Sequence, residues 1–343
     1  MHTALDCIPC FARQAIEAAR FVTDDPAVHE RIVRDALRTA SKMDLAQCPP
    51  VVAQRIHRQL RKITGAADPY RAVKDRFNRM ALDMLPELSA RVRKAADPLA
   101  MALRLAIAGN VIDLGVNGRI TEDEARLCVR NVLDEPFDGH LDAFRQAAER
   151  AQRILYLADN AGEIVFDRLL IDQLPVGRVT LAVRGGPVLN DATMADAQAA
   201  GLCDVVEVID NGSDAPGTVL SACSEEFRRR FGDSDLIIAK GQGNFETLSD
   251  EAADIFFLFK VKCPVVADHV GLPVGTHVLT RRMAESQVSG GRNHARVRWN
   301  RASRIGPHDG RGQGILRLET AQQAGRTACR RRRPGGLARR PNG

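Results

Sequence analysis

The chain has 343 residues, a formal net charge of +6, 45% apolar residues and 27% charged ones, an ordinary balance for a globular fold of one large or two smaller domains. It contains no apolar run of about eighteen residues, and its opening MHTALDCIPCFARQAIEAAR lacks the basic-then-apolar order of a secretion signal; no membrane partner is expected, and the cytoplasm is the expected compartment. The positive charge is local: residues 284–343 hold fourteen Arg, no Lys and three acids, against thirty-five bases and forty acids before them, so only the tail qualifies as a polyanion binder.

In chain order, the first feature is Cys7-x-x-Cys10. Eight scattered cysteines without a secretion signal argue for a reducing compartment and against a disulfide framework. No second Cys-x-x-Cys completes a four-thiolate zinc site. Cys263, in KVKCPVV, is the candidate third thiolate for a metal or redox role, with ordinary burial as the alternative.

Over residues 11–141 apolar residues recur three or four apart, as in VHERIVRDALRTASKM and VVAQRIHRQLRKITG, which predicts a helical region. Thr121 and Glu124 are spaced as a capping box and predict one more helix. Within AIAGNVIDLGVNG, Asn110 and Asp113 lie three apart near the end of an apolar helix, where they either cap it or reach toward a site.

From Arg153 the pattern changes to short apolar runs, RILYLAD, RVTLAVRG, DVVEVIDN, DLIIAKG and DIFFLFK, separated by helix-length connections. This predicts an α/β fold, a helical N-terminal part packed on an α/β/α layered domain with a mostly parallel sheet covered on both faces. The expected domains are 1–150, helical; 151–283, α/β/α; and 284–343, an Arg- and Gly-rich tail too polar and aperiodic to fold independently, expected to be disordered or to follow a shift of coding frame near residue 283.

Ligands of such sheets gather at the carboxyl ends of the strands. There stand Asp159 and Asn160 after the first run, Asp191 in RGGPVLNDAT after the second, and Lys240 in AKGQGNFETL after the fourth. Carboxylates and an amide carbonyl suit a hard divalent cation, and an ammonium suits the remaining charge of a phosphate. Asn160 with Glu163, and Asp191, also read as helix N-caps, whereas Asp159 precedes any cap and gains nothing from that reading. The backbone amides of Gly241, Gly243 and Asn244 offer an anion a helix N-terminus. No Gly-x-Gly-x-x-Gly follows the first strand and no P-loop occurs after any strand, which disfavours dinucleotides and nucleotide triphosphates.

Taken in order, DCIPC, AGNVIDLG, LADNAGEIVFDRLL, GGPVLNDAT, AKGQGNFETL and FKVKCPVVA resemble the damage-control phosphatases, over roughly residues 1–279; the N-terminal Cys-x-x-Cys is similar to that of the short bacterial and archaeal branch. The resemblance implies a divalent-metal phosphatase acting on small phosphate esters, sugar phosphates or damaged and overflow metabolites. It implies Asp159, Asn160 and Asp191 as metal ligands, Lys240 on the phosphate, and Asn110, Asp113, Glu163 and Glu246 as pocket residues. After VGLPVGTHVLTRR the chain leaves the family pattern, which puts the packing contributed by the family's last segment in question.

The reading is therefore a metal-dependent phosphomonoester hydrolase with one divalent cation (Mg²⁺, Mn²⁺, Co²⁺ or Ni²⁺) and a small phosphate ester as partner. The competing readings are a carboxyl methyltransferase using S-adenosylmethionine, which lacks a Gly-rich first turn here, and a non-enzymatic metal-binding body with an RNA-binding Arg tail.

Overall fold

Proline and acidic caps set the helix starts of the N-terminal half. In the computed structural model, helices α1 (Cys7–Val22), α2 (Pro26–Ser41), α3 (Pro49–Thr64), α4 (Arg71–Lys94) and α5 (Pro98–Ala108) follow one another. Three of them carry Pro in the first turn, where its missing N–H costs nothing, and Asp25 and Asp97 accept the backbone N–H groups of Ala27 and Ala100. Residues 1–109, 126–127, 129–131 and 137–282 are described; Asn110, Asp113, most of the helix expected after Thr121 and the Arg-rich tail lie outside them. The described residues fall within one compact unit.

The second half alternates strand and helix. The elements are β1 (Phe137–Gly139), α6 (Leu141–Arg150), β2 (Ile154–Leu157), α7 (Glu163–Ile171), β3 (Val179–Val183), α8 (Met194–Ala199), β4 (Glu207–Asp210), α9 (Glu225–Asp233), β5 (Leu236–Lys240), α10 (Gly241–Leu248), β6 (Ile255–Lys260), α11 (Pro264–Val270) and β7 (His277–Arg282). All seven strands join one sheet in the order β1-β7-β6-β5-β2-β3-β4. Strands β4, β3, β2, β5 and β6 run parallel, and β7 pairs antiparallel with β6. The expected mostly parallel α/β sheet is present, with each apolar run forming a strand.

Two strands escape the sequence pattern. β1 interrupts the stretch read as wholly helical, because three residues pairing with β7 are too few to show a period of two. β7 lies where the chain leaves the family pattern, yet its His277, Val278 and Leu279 are buried in the sheet.

β2 is buried at every position, as expected of a central parallel strand. Eight of the nine residues of α7 are also buried, Glu163 and Asp167 among them, with α4 and α5 packed against it. β2 lies between β3 and β5, where the winding of the sheet reverses direction. That crevice is the topological switch point at which α/β sheets bind ligands.

Candidate functional site

The loops leaving β2 and β3 are zipped together. Asn160 and Asp191 form an isolated antiparallel bridge. The Ala161 amide donates to the Asn190 carbonyl at 2.9 Å, and the Ala192 amide to the Asp159 carbonyl at 2.8 Å. Asp159, Asn160 and Asp191 are thereby brought to one corner, all nearly buried. Leu189, just ahead of Asp191, holds φ at +46°, a left-handed conformation costly for a branched side chain and typical of functional loops.

Two cap readings are corrected here. The N-cap of α7 is Gly162, at φ +78° and with no side-chain cap bond; Asn160 lies two residues earlier, its Nδ2 donating to Asp159 Oδ2 at 2.7 Å and Glu163 Oε2 at 3.1 Å. The N-cap of α8 is Thr193, in a capping box with Asp196, so Asp191 caps nothing. Asp191 Oδ2 instead accepts from Arg184 Nε at 2.7 Å and from the Gly217 amide at 3.4 Å. Neither Asn160 nor Asp191 is explained by helix starts.

Glu163 is buried beside them, which makes three carboxyl groups in one desolvated corner. Burial first, then the charges of Glu163 and Asp191, push the Asp159 carboxyl well above its ordinary range, with Lys262 and Arg184 opposing. Burial in a corner shared with like charges raises a carboxyl in this way. Gly241, at φ +78°, is required by this geometry: a Cβ there would overlap the Asp159 carboxylate.

Lys240 stands elsewhere than expected. Its ammonium is fully buried and donates to the Ala106 carbonyl at 2.8 Å, Glu163 Oε1 at 2.7 Å and Asp167 Oδ1 at 2.6 Å. Those three acceptors use its three protons. Burial opposes the ammonium charge, but Asp167 and Glu163 outweigh it and push its pKa up. Lys240 therefore ties α5, α7 and β5 together behind the corner.

The Gly-rich turn is similarly divided in its work. Gly241 approaches Asp159, whereas Gly243 lies backbone to backbone against Gly217. The Asn244 amide donates to the Lys240 and Ala158 carbonyls and accepts from Thr218 Oγ1, which occupies the side chain structurally. Glu246 sits a turn further along, facing the N-terminal segment: its carbonyl accepts from the Met1 nitrogen at 3.0 Å, and burial pushes its carboxyl up to about 7.

Sequence reasoning missed Arg184, Lys262 and Asp167. Arg184 lies near the end of RVTLAVRG and is 2% exposed; its Nη2 lies 3.8 Å from Asp159 Oδ1 and has no hydrogen-bond partner among the described residues. Lys262 follows β6 at the same sheet edge and is exposed to solvent, with its charge reaching Asp159. Both were legible as basic residues just past apolar strands. Asp167 was signalled by its place in the middle of EIVFDRLLI; it accepts from Tyr156 and Lys240.

A groove also opens at the opposite, amino ends of β2, β3 and β4, lined by Arg153, Arg178, Glu207 and Arg230 among others. Its charges are matched locally, Arg153 with Asp235 and Arg230 with Glu207.

Known proteins share this architecture. A family model described as the damage-control phosphatase ARMT1-like domain matches residues 3–278. The chain is 34% identical to a damage-control phosphatase of Archaeoglobus fulgidus, over 79% of this chain and 96% of that one. It is also 34% identical to a damage-control phosphatase of Pyrococcus horikoshii, over 82% and 98%, and 33% identical to an uncharacterised protein of Methanocaldococcus jannaschii, over 81% and 94%. A crystal structure of a DUF89 family protein from Pyrococcus horikoshii superposes with a TM-score of 0.73 at 33% identity, covering 82% of this chain and 99% of that one.

Proposed function

This chain belongs to the damage-control phosphatase family, through its ARMT1-like domain, and on that premise we propose that it hydrolyses small phosphate esters with the help of one divalent cation held by Asp159, Asn160 and Asp191. Sugar phosphates and damaged or overflow phosphometabolites are the substrate class. The observation that carries this reading is the convergence of buried acids and a buried base at one strand edge: Asp159 and Asp191 beside Glu163, with Arg184 bonded to Asp191 through Nε and its Nη2 3.8 Å from Asp159 Oδ1.

The donor set fits the cation. Two carboxylates and an amide oxygen are hard ligands for Mg²⁺, Mn²⁺ or a similar ion, and a cation relieves the repulsion that lifts Asp159. When bound, the ion supplies Lewis acidity toward a phosphoryl oxygen.

The chain's own residues supply position and charge. Arg184, held to Asp191 by its Nε, presents Nη2 to a phosphate oxygen. Lys262 faces the corner from the solvent side, and the first amides of α10, from Gly241 onward, add a helix N-terminus. Lys240 acts as a positioning residue: it fixes Glu163, which in turn orients the Asn160 amide. Phosphoryl transfer demands little more than such placement and electrostatic stabilisation.

The test is a panel of small phosphate esters with Mg²⁺, Mn²⁺, Co²⁺ and Ni²⁺ in turn. Asp159→Ala should lower metal-dependent phosphate release by at least about a thousandfold, the several kcal/mol expected of a Lewis-acid contact, with the fold retained. Wild-type turnover in that variant, or release that chelation does not affect, would refute the proposal.

A further inference from the structure

An asparagine is an unfavourable residue for a helix interior, and a buried one must find hydrogen-bond partners. Asn78 lies inside α4, in RFNRMALDML, and is 2% exposed. Both ends of its amide are used, and both partners lie outside α4. Its Oδ1 accepts from the Gly162 amide at 2.7 Å, and its Nδ2 donates to Asp196 Oδ1 at 2.9 Å. A backbone N–H can only donate, and Asp196, facing Lys74 at 3.0 Å and Arg71 at 2.8 Å, is held as an acceptor. The amide therefore has one satisfactory orientation.

The two partners belong to the two loops that carry the proposed cation ligands. Gly162 lies two residues after Asn160 and directly before Glu163, at φ +78°, and begins α7 with no side-chain cap of its own. Asn78 supplies the missing acceptor from another helix. On the other loop, Asp196 accepts from the Thr193 amide at 2.9 Å and the Thr193 hydroxyl at 2.8 Å, and Thr193 lies two residues past Asp191. Arg71, Lys74 and Asn78, spaced three and four apart, turn one face of α4 toward Asp196. The bonds from Ala161 to Asn190 and from Ala192 to Asp159 fix the loops to each other, and Asn78 fixes both to the helical half.

On the metal-dependent reading given above, we propose that Asn78 is a positioning residue for that site: one amide of the helical half sets the spacing between the β2–α7 turn and the Asp191 loop, so that Asn160 and Asp191 reach the same cation. It touches neither the cation nor the ester. Its effect passes through Gly162 to Asn160 on one side, and through Asp196 and Thr193 to Asp191 on the other. Groups that orient metal ligands from behind typically change metal affinity by about 10- to 100-fold when removed.

The test uses the full chain and Mn²⁺ alone, with free Mn²⁺ followed by electron paramagnetic resonance below the onset of unfolding of each variant. Asn78→Leu removes both bonds and should raise the Mn²⁺ Kd about 10- to 100-fold. Asn78→Asp should also weaken binding, because it sets a carboxylate against Asp196. Combining it with Asp196→Asn returns a donor to one end of the contact and an acceptor to the other, and should recover part of the affinity. Met84→Ala, at a buried position further along α4, should lose stability through a cavity and keep the wild-type Kd. Independently of metal, the Gly162 amide should exchange slowly with deuterated water in the wild-type chain and rapidly in Asn78→Leu. Wild-type Mn²⁺ affinity in Asn78→Leu, an equal loss in Met84→Ala, or no recovery in the exchanged pair would overturn the role of Asn78 and leave the metal-dependent reading in place. A wild-type chain that binds no Mn²⁺, yet protects its Gly162 amide, would overturn that reading and the role of Asn78 with it.

Discussion

Two buried acids just past neighbouring strands meet opposite fates. Asp196, in the first turn of α8, is fully buried and accepts from Lys74 at 3.0 Å, Arg71 at 2.8 Å, Asn78 at 2.9 Å and the Thr193 amide at 2.9 Å. Burial works against its charge, but Lys74 and these donors outweigh it and hold its carboxyl below the ordinary range. Asp159 is almost as buried, yet faces Glu163 and Asp191 and is driven upward. Burial alone therefore does not decide the state of a carboxylate; the balance of charge around it does. The first acid is surrounded by cationic and amide donors, and the second shares its corner with two further carboxyl groups.

The comparison predicts effects that separate the two kinds of site. The largest belongs to the fully matched interior: Lys240→Met leaves Glu163 and Asp167 buried without their cation and should cost about 3–5 kcal/mol of unfolding free energy, measured by denaturant titration. Asp196→Asn should lose about 3 kcal/mol, as Lys74 and Arg71 lose a common partner. Asp159→Asn should go the other way in metal-free solution, gaining on the order of 1 kcal/mol by removing a like-charge contact. A loss of stability in metal-free Asp159→Asn equal to that of Asp196→Asn would erase the contrast.

A pH-dependent effect concerns Asp214, which joins the site loops to α3. Its carboxylate accepts from Gln54, Arg58 and Arg61, and Arg61 also donates to the Pro187 carbonyl. Burial acts upward on its pKa, but Arg58, Gln54 and Arg61 outweigh it and bring it to about 2, against 3.8 ordinarily. Because the folded value lies below the unfolded one, the stabilisation is fully present above about pH 4 and disappears as pH falls toward 2. Wild type should thus exceed Asp214→Asn in stability at neutral pH, and the two should converge on acidification.

Much of the fold was legible because parallel strands buried on both faces leave uninterrupted apolar runs, as in DLIIAKG, and the residues after them must line the carboxyl edge. That logic reaches Asp159, Asn160 and Asp191. It fails for Lys240, because the choice between a phosphate and a buried partner depends on Ala106, 134 residues away in the chain, and on Asp167 inside a helix. The cap misreading has a local cause: Asn160 and Glu163 have the spacing of a capping box, but Gly162 supplies the positive φ that starts the helix, freeing Asn160 to face Asp159. β1 was hidden by its length and β7 by its charged end, HVLTRR.

The central claim is that the charge imbalance at Asp159 and Asp191 is reserved for a cation, and melting curves with and without Mn²⁺ test it most directly. The wild-type chain should gain stability as Mn²⁺ is added, by RT ln(1 + [Mn²⁺]/Kd), while Asp159→Asn should start higher without metal and gain much less. Equal Mn²⁺-induced shifts in the wild type and Asp159→Asn, or no shift in either, would contradict the account.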